Sequence, residues 1–154
     1  VRARSHLLQR LQQARSDLSQ RYSTPLKQNI NQVLQPLLGN KKDGCSLNYD
    51  PKDGLQELGL QREGTLFAFN QLSGGMKEQL NAALRIALAD TLKERQGGCL
   101  PLLFDDAFTN TDSQRLQGVL EMLQHAVSRG LQVIVLSCDP DPYKSIADKV
   151  NMIG

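Results

Sequence analysis

Four short stretches of this 154-residue chain carry residue types able to do chemistry: Ser73-Gly74-Gly75, Asp105-Asp106, Asp112 and Cys138. Ser73-Gly74-Gly75 opens directly into apolar residues at Met76, Leu80, Ala83, Leu84, Ala87, Leu88 and Leu92, spaced by threes and fours as one helix face requires. A hydroxyl, two residues without Cβ, and the free N–H groups and positive dipole end of a helix together make an anion site suited to a phosphate. The plainer alternative is that Ser73 is an ordinary N-cap and the glycines a turn. Asp105 and Asp106 end the apolar run Leu100-Pro101-Leu102-Leu103-Phe104, a buried-strand pattern behind the Gly97-Gly98 break. Two carboxylates therefore stand at a strand's C-terminal end. With Asp112 they could also gather a divalent metal for nuclease chemistry, a reading that leaves Ser73-Gly74-Gly75 without a role.

The elements that would position these residues follow in order. Asp112 begins a helical pattern running to Ser128, with Leu116, Val119, Leu120, Leu123 and Val127 as its buried stripe and Gly130 as the residue after its end. Leu131 to Leu136 is a second buried strand, and Asp139-Pro140-Asp141-Pro142 breaks the chain after it. A short helix to Asp148 and a terminal strand from Val150 to Ile153 are expected beyond. Buried strands alternating with helices predict an α/β fold, a mostly parallel sheet flanked by helices.

Upstream, Leu7, Leu11, Ala14, Leu18 and Tyr22 form a narrow apolar seam on an amphipathic helix. Such a seam belongs either to the end of a coiled coil or to a helix lying on the domain's own surface. The pattern begins without an initiator Met or an N-cap, so the chain reads as cut from something longer. Pro25 is expected to restart a helix at its first turn, with Ile30, Val33, Leu34 and Leu37 inward and Gly39-Asn40 ending it. Cys45 to Tyr49 and Leu55 to Leu60, joined by Asp50-Pro51-Lys52-Asp53-Gly54, predict a hairpin, and Glu63-Gly64-Thr65 a second turn. Phe67 and Phe69 are expected to pack the Ser73 loop against the body.

Composition limits the classes. The longest apolar runs are far too short for a membrane span, and no signal-peptide segment is present, so a cytoplasmic or nucleoid-associated, unexported protein with no membrane partner is expected. Three cysteines, Cys45, Cys99 and Cys138, lack any C-x-x-C spacing and predict free thiols. Residues 1–42 carry eight Lys/Arg and one acidic residue, +7, whereas the remainder carries ten and fifteen, −5. A basic arm on an acidic body suits contact with DNA; a solvated helix face is the alternative.

In the order of its motifs the chain resembles the ATP-binding-cassette ATPases. Leu72 to Gln79 is similar to their signature motif, Leu102 to Asp106 to Walker B, Ala107 to Asp112 to the D-loop, and Val135 to Asp139 to the switch loop. The resemblance implies ATP and Mg²⁺ as cofactors. Asp105 would reach the Mg²⁺ through water and Asp106 would be the catalytic base, while Ser73, Gly74, Gly75, Gln79, Asp112 and Cys138 would face nucleotide. Two positions depart from the family: Asp106 stands where glutamate is usual, and Cys138 where histidine is usual. A thiol is a weak donor, and a small apolar filler at a strand end is the favoured alternative for Cys138.

No G-x-x-x-x-G-K-[ST] occurs, so the phosphate cradle is absent from this chain. That plan resembles the C-terminal half of SMC/SbcC/RecN-like heads, in which a long coiled coil separates Walker A from the signature. The aromatic Phe108 in the D-loop is similar to the nuclease-associated SbcC-like members. The implied division is a coiled-coil-base helix over 1–24 and an ATPase lobe over 25–154. The implied partners are an N-terminal Walker A half, a second head, DNA and a nuclease subunit; ATPase activity would need the first two. A non-catalytic interaction lobe that keeps these motifs as scaffold is the alternative.

Overall fold

The computed structural model describes residues 2–50, 53–96 and 100–152. Its helices are α1 (Arg2–Leu34), α2 (Gly74–Gln96) and α3 (Ser113–Ser128). Strands β1 (Gly44–Asp50), β2 (Gly54–Arg62) and β3 (Thr65–Ala68) form an antiparallel sheet in that order, while β4 (Pro101–Asp105) and β5 (Gln132–Leu136) pair in parallel. The fold is α/β as expected, but among the described residues parallel pairing is confined to β4 and β5. Connection length decides this: a few residues between β1, β2 and β3 can only reverse the chain, whereas the α3 crossover returns β5 alongside β4 in the same direction.

β3 is absent from the expectations drawn from sequence. Glu63 (φ 49°) and Gly64 (φ 81°) both adopt left-handed conformations, which turns β2 sharply back so that Arg62 pairs with Thr65. Gly59 is required beneath it, because a Cβ there would lie 2.6 Å from the Phe67 carbonyl oxygen. Of the two phenylalanines, Phe69 packs on the core and Phe67 stays exposed on β3.

The helix break expected at Pro25 does not occur, and α1 continues through it to Leu34. Proline lacks the N–H that would donate to the Arg21 carbonyl, a loss of about 3 kcal/mol in a helix interior. The next turns offset it by burying Ile30, Val33 and Leu34, and the Cys45 N–H donates to Asn31 Oδ1 at 2.7 Å, fastening α1 to β1. Farther up, Leu11 is 59 % exposed, so the apolar seam has no cover at that point.

The core joins these elements through Ile30, Leu80, Ile86, Phe104, Val119, Met122 and Leu123, each worth about 1.5–3 kcal/mol on burial. Val127, expected in the α3 stripe, is exposed, and Met122 and Ala126 take its place. Leu88 and Leu92 likewise face outward on α2, where Ile86 turns in. Gly130 ends α3 as expected, at φ 81°, and the Leu131 N–H donates to the Ala126 carbonyl at 3.2 Å.

A polar cluster lies where α2 meets the end of α3. Asp90 is buried and receives Arg129 Nη2 at 2.5 Å and Lys93 Nζ at 2.6 Å. Burial alone would push the Asp90 carboxyl up, but the hydrogen bonds from Arg129 and Lys93 outweigh it and hold it below its ordinary value.

Among the described residues after β5, a single 3-10 turn, Asp141–Tyr143, stands in place of a helix to Asp148, and Val150 to Met152 are not in a strand. Ile153, the Gly97-Gly98 break, Pro51, Lys52 and Cys99 lie outside the described residues. Cys45 and Cys138 are free thiols, and burial pushes Cys45 up to about 11, against a smaller lowering by Lys27. No helix among the described residues is long and apolar enough to cross a membrane.

Candidate functional site

Ser73 caps α2: its Oγ accepts the Met76 N–H at 3.4 Å and its carbonyl the Lys77 N–H at 2.9 Å. The two glycines serve different ends. A Cβ on Gly74 would meet nothing within 4 Å, so that face of the helix end is open, whereas a Cβ on Gly75 would lie 2.7 Å from the Asn110 carbonyl oxygen. Gly75 is thus a close-packing position and Gly74 an accessible one.

The same segment grips α2 one turn further on. Asn110 Nδ2 donates to Glu78 Oε1 at 2.6 Å, and the buried Gln79 donates from Nε2 to Thr111 Oγ1 at 3.4 Å. The start of α2 and residues 107–112 form one packed unit.

β4 ends in that unit. Leu102 and Phe104 point into the core, and Asp105 is exposed, its carboxylate making no hydrogen bond or ion pair to any described residue. Asp106 has φ 43°, and its N–H donates to the Leu136 carbonyl at 2.9 Å, which carries the β4–β5 pairing one residue past the strand. Its carboxylate faces the residue beyond the partner strand: Oδ1 accepts the Cys138 N–H at 3.2 Å, and Oδ2 lies 3.9 Å from Cys138 Sγ. Cys138 is exposed, so it is not a buried filler.

Phe108 also adopts a left-handed conformation, φ 72°, and is buried with its ring 5.6 Å from that of Phe104. Two non-glycine residues in this region within three positions cost on the order of 1–3 kcal/mol each and persist only where surroundings impose them. Here Arg85 of α2 lies 5.1 Å above the Phe104 ring and donates to the Leu103 carbonyl at 2.8 Å. From the other side the Tyr143 hydroxyl donates to the Ala107 carbonyl at 3.4 Å. Burial, and then the charges of Asp139 and Asp106, push the Tyr143 hydroxyl above its ordinary value.

Asp112 caps α3, accepting the Arg115 N–H at Oδ1 (2.9 Å) with the Arg115 guanidinium 3.5 Å from Oδ2. It does not join Asp105 and Asp106 in a metal site: no group of three His, Cys, Asp or Glu able to hold a metal exists among the described residues. The carboxylate-only nuclease constellation is therefore not built. The donor set does fit a largely hydrated Mg²⁺, which needs only one or two carboxylates, and Asp105 is free to supply one. Ser73 and the open face at Gly74 fit a phosphate oxygen.

Arg85 and Tyr143 have no motif to announce them, and Glu78 and Asn110, though inside the signature-like and D-loop-like stretches, have no spacing that announces their contact. Their contacts span 18 to 36 residues of chain, beyond the reach of local periodicity.

Comparison with known proteins bears on the fold. No family model matches the chain. The uncharacterized protein YhaN of Bacillus subtilis (strain 168) is 40 % identical over 80 residues, 51 % of this chain but only 8 % of that protein's length. Among solved structures, an SMC ATPase from work on ATP-driven dimerization and DNA-stimulated activation superposes with a TM-score of 0.66 at 20 % identity, covering 87 % of this chain and 79 % of its own. The SMC head domain of Thermotoga maritima gives 0.56 at 19 % identity over 80 % and 41 %. The Pyrococcus furiosus Smc head with an extended coiled coil, bound to the C-terminal domain of ScpA, gives 0.66 at 17 % identity over 94 % and 36 %. The chain has the fold of an SMC ATPase head. It corresponds to well under half of each of the last two chains.

Proposed function

We propose that this chain is the signature- and Walker B-bearing C-terminal half of an SMC/SbcC-like ATPase head, which completes a composite ATP site and couples ATP binding and hydrolysis to DNA. The observation that carries this reading is that the segment directly after Asp105 and Asp106 packs on the start of α2. Asn110 lies against Gly75 and bonds Glu78, beside the open helix end at Ser73 and Gly74, while β5 holds Asp106 through the Leu136 carbonyl. A nuclease or a simple capped helix has no use for that arrangement.

Each residue then has a part. Asp105 would hold Mg²⁺, an ion that would polarise the phosphate. Asp106 takes the proton of the attacking water. Ser73, Gly74 and Gly75 present the helix dipole to a γ-phosphate, with Gln79, Asp112 and Cys138 bordering the nucleotide. The absent phosphate cradle belongs to an N-terminal Walker A half. Leu103, Ile134 and Leu136, exposed on one face of the β4–β5 pair, support its addition there, and the mostly parallel sheet forms only in that assembly. Residues 1–24 serve as the coiled-coil base and 25–154 as the lobe. The dimerisation and DNA stimulation described for the SMC neighbour support a second head and DNA as partners.

ATP·Mg²⁺ titrated into this chain alone is expected to show no micromolar binding, and binding is expected once the Walker A half of the same protein is added. Micromolar binding by the chain alone would falsify the reading. The departures at Asp106 and Cys138 favour a non-catalytic scaffold as the second reading; ATP hydrolysis that Asp106→Asn abolishes in the assembled head decides against it.

A further inference from the structure

We infer that Tyr143 is a positioning residue for the turn that directs Asp106, and that it acts through its hydroxyl on the Ala107 carbonyl, not through the bulk of its ring. The catalytic consequence rests on the ATPase reading, whereas the contact itself does not.

The turn is a short stretch of unfavourable backbone. Ala107 lies between two residues in left-handed conformations, Asp106 at φ 43° and Phe108 at φ 72°. Aspartate visits that region readily, but a bulky side chain such as phenylalanine does not. Both ends of the turn are held: the Asp106 N–H donates to the Leu136 carbonyl at 2.9 Å, and Phe108 buries its ring while its carbonyl accepts the Thr111 N–H at 3.0 Å. The middle is held by one bond. Among the described residues the Tyr143 hydroxyl, 3.4 Å away, is the sole donor to the Ala107 carbonyl.

Tyr143 is itself firmly placed. Pro140 and Pro142 fix φ on either side of Asp141, the Tyr143 N–H donates to the Pro140 carbonyl at 3.0 Å, and the Tyr143 carbonyl accepts the N–H groups of Ile146 and Ala147, both at 3.1 Å. With the ring packed against the core, little freedom remains to be lost when the hydroxyl meets Ala107. Burial, and then the charges of Asp139 and Asp106, raise the hydroxyl above its ordinary value, so it keeps its proton and donates throughout the neutral range. The direction of the Asp106 carboxylate follows from the backbone that the turn fixes, and aspartate has one methylene fewer than glutamate with which to correct an error. A displacement of about 1 Å can cost on the order of a hundredfold in rate. Without the hydroxyl the peptide group between Ala107 and Phe108 can rotate and relieve its strain, which carries Asp106 away from the water it is to deprotonate. Ser73 and the open face at Gly74 are untouched by that rotation.

The test has two arms, both on the full-length protein. The first needs no nucleotide: amide hydrogen exchange, read by mass spectrometry, compares the wild type with Tyr143→Phe, which keeps the ring and removes only the hydroxyl. Peptides covering residues 105–111 carry the bonded N–H groups of Asp106 and Thr111. They should exchange about threefold faster or more in the variant, while peptides from α3 exchange as in the wild type. The second arm is steady-state ATP hydrolysis, in which Tyr143→Phe should lower kcat roughly three- to tenfold with KM for ATP unchanged. Equal exchange across residues 105–111 in the two proteins overturns the contact. Faster exchange in α3 as well overturns the local action of the hydroxyl, since a general loosening does not single out the turn. A kcat within about twofold of wild type, or a loss carried by KM, overturns the positioning role. If the wild type hydrolyses no ATP, the ATPase reading fails and with it the catalytic half of the inference, whereas hydrogen exchange still decides the contact.

Discussion

Gly75 lies against the backbone of Asn110 so closely that a methyl group on it would sit 2.7 Å from the Asn110 carbonyl oxygen, while its neighbour Gly74 has nothing within 4 Å. Backbone cannot swing aside as a long side chain can, so the pair separates two roles that a glycine doublet usually confuses. Gly75→Ala should destabilise the chain by about 1–3 kcal/mol, the usual cost of overpacking a tight contact. Gly74→Ala should be neutral or slightly stabilising, since alanine restricts the unfolded chain and suits a helix. Thermal unfolding of the two variants decides the matter, and equal melting temperatures would mean that the start of α2 does not pack on residues 107–112 as described.

Asp90 provides a pH-dependent test of the scaffold behind the site. Its carboxyl is held below the ordinary 3.8 by Arg129 and Lys93 in spite of burial, so the folded state binds its proton less readily than the unfolded state does. The resulting stabilisation is complete above the ordinary carboxylate value and is lost as pH falls below it toward the depressed value. Asp90→Ala should cost about 1–3 kcal/mol near neutral pH by removing the carboxylate that Arg129 and Lys93 share at this junction. Urea unfolding of Asp90→Asn should show a shallower loss of stability than wild type as pH falls below the ordinary carboxylate value. Parallel acid limbs would show that the ion pairs do not hold the junction of α2 and α3.

The basic arm can be tested through salt. Arg10 and Arg21 are exposed on α1, and for each phosphate no longer neutralised the log-log salt slope falls by about 0.9. Arg10→Glu with Arg21→Glu should therefore flatten the salt dependence of DNA binding by roughly two in the full-length protein. An unaltered slope would return both arginines to an ordinary solvated helix face.

What could be read in the sequence divides along physical lines. The helix opening at Gly74, the buried strand ending on Asp105 and the α3 helix capped by Asp112 were legible because each is local: a cap, a glycine or an apolar run within a few residues. β3 escaped because Thr65–Ala68 is four residues long with no alternation, and only pairing with β2 makes it a strand. Pro25 misled because its local cost is real, and the burial of Ile30, Val33 and Leu34 that outweighs it is tertiary. The site shows the same division. Ser73, Asp105 and Asp106 stand out by type and position, but the Asp106–Cys138 contact spans 32 residues and the Asp90–Arg129 pair 39, and no spacing rule connects them.

Ser73 carries the last prediction, because its role depends on which nucleotide it meets. Its hydroxyl and the open face beside Gly74 point out of the packed unit, and the phosphate cradle is missing from this chain. Under the proposed function two heads sandwich two nucleotides, and each Ser73 completes the site whose cradle belongs to the other head. Ser73→Arg should then leave ATP binding to a single assembled head nearly intact, since the new side chain obstructs only the partner's nucleotide. It should abolish ATP-dependent dimerisation and the hydrolysis that follows from it. Nucleotide titration reads the first effect, and light scattering of the Asp106→Asn head with ATP reads the second. Because Ser73 is exposed and Asp or Asn caps a helix as well as serine does, Ser73→Asp controls for the cap: it keeps the fold but sets a carboxylate against a phosphate, and should also block dimerisation. A Ser73→Arg head that still dimerises with ATP, or that loses ATP binding as a monomer, would show that Ser73 does not act across the dimer.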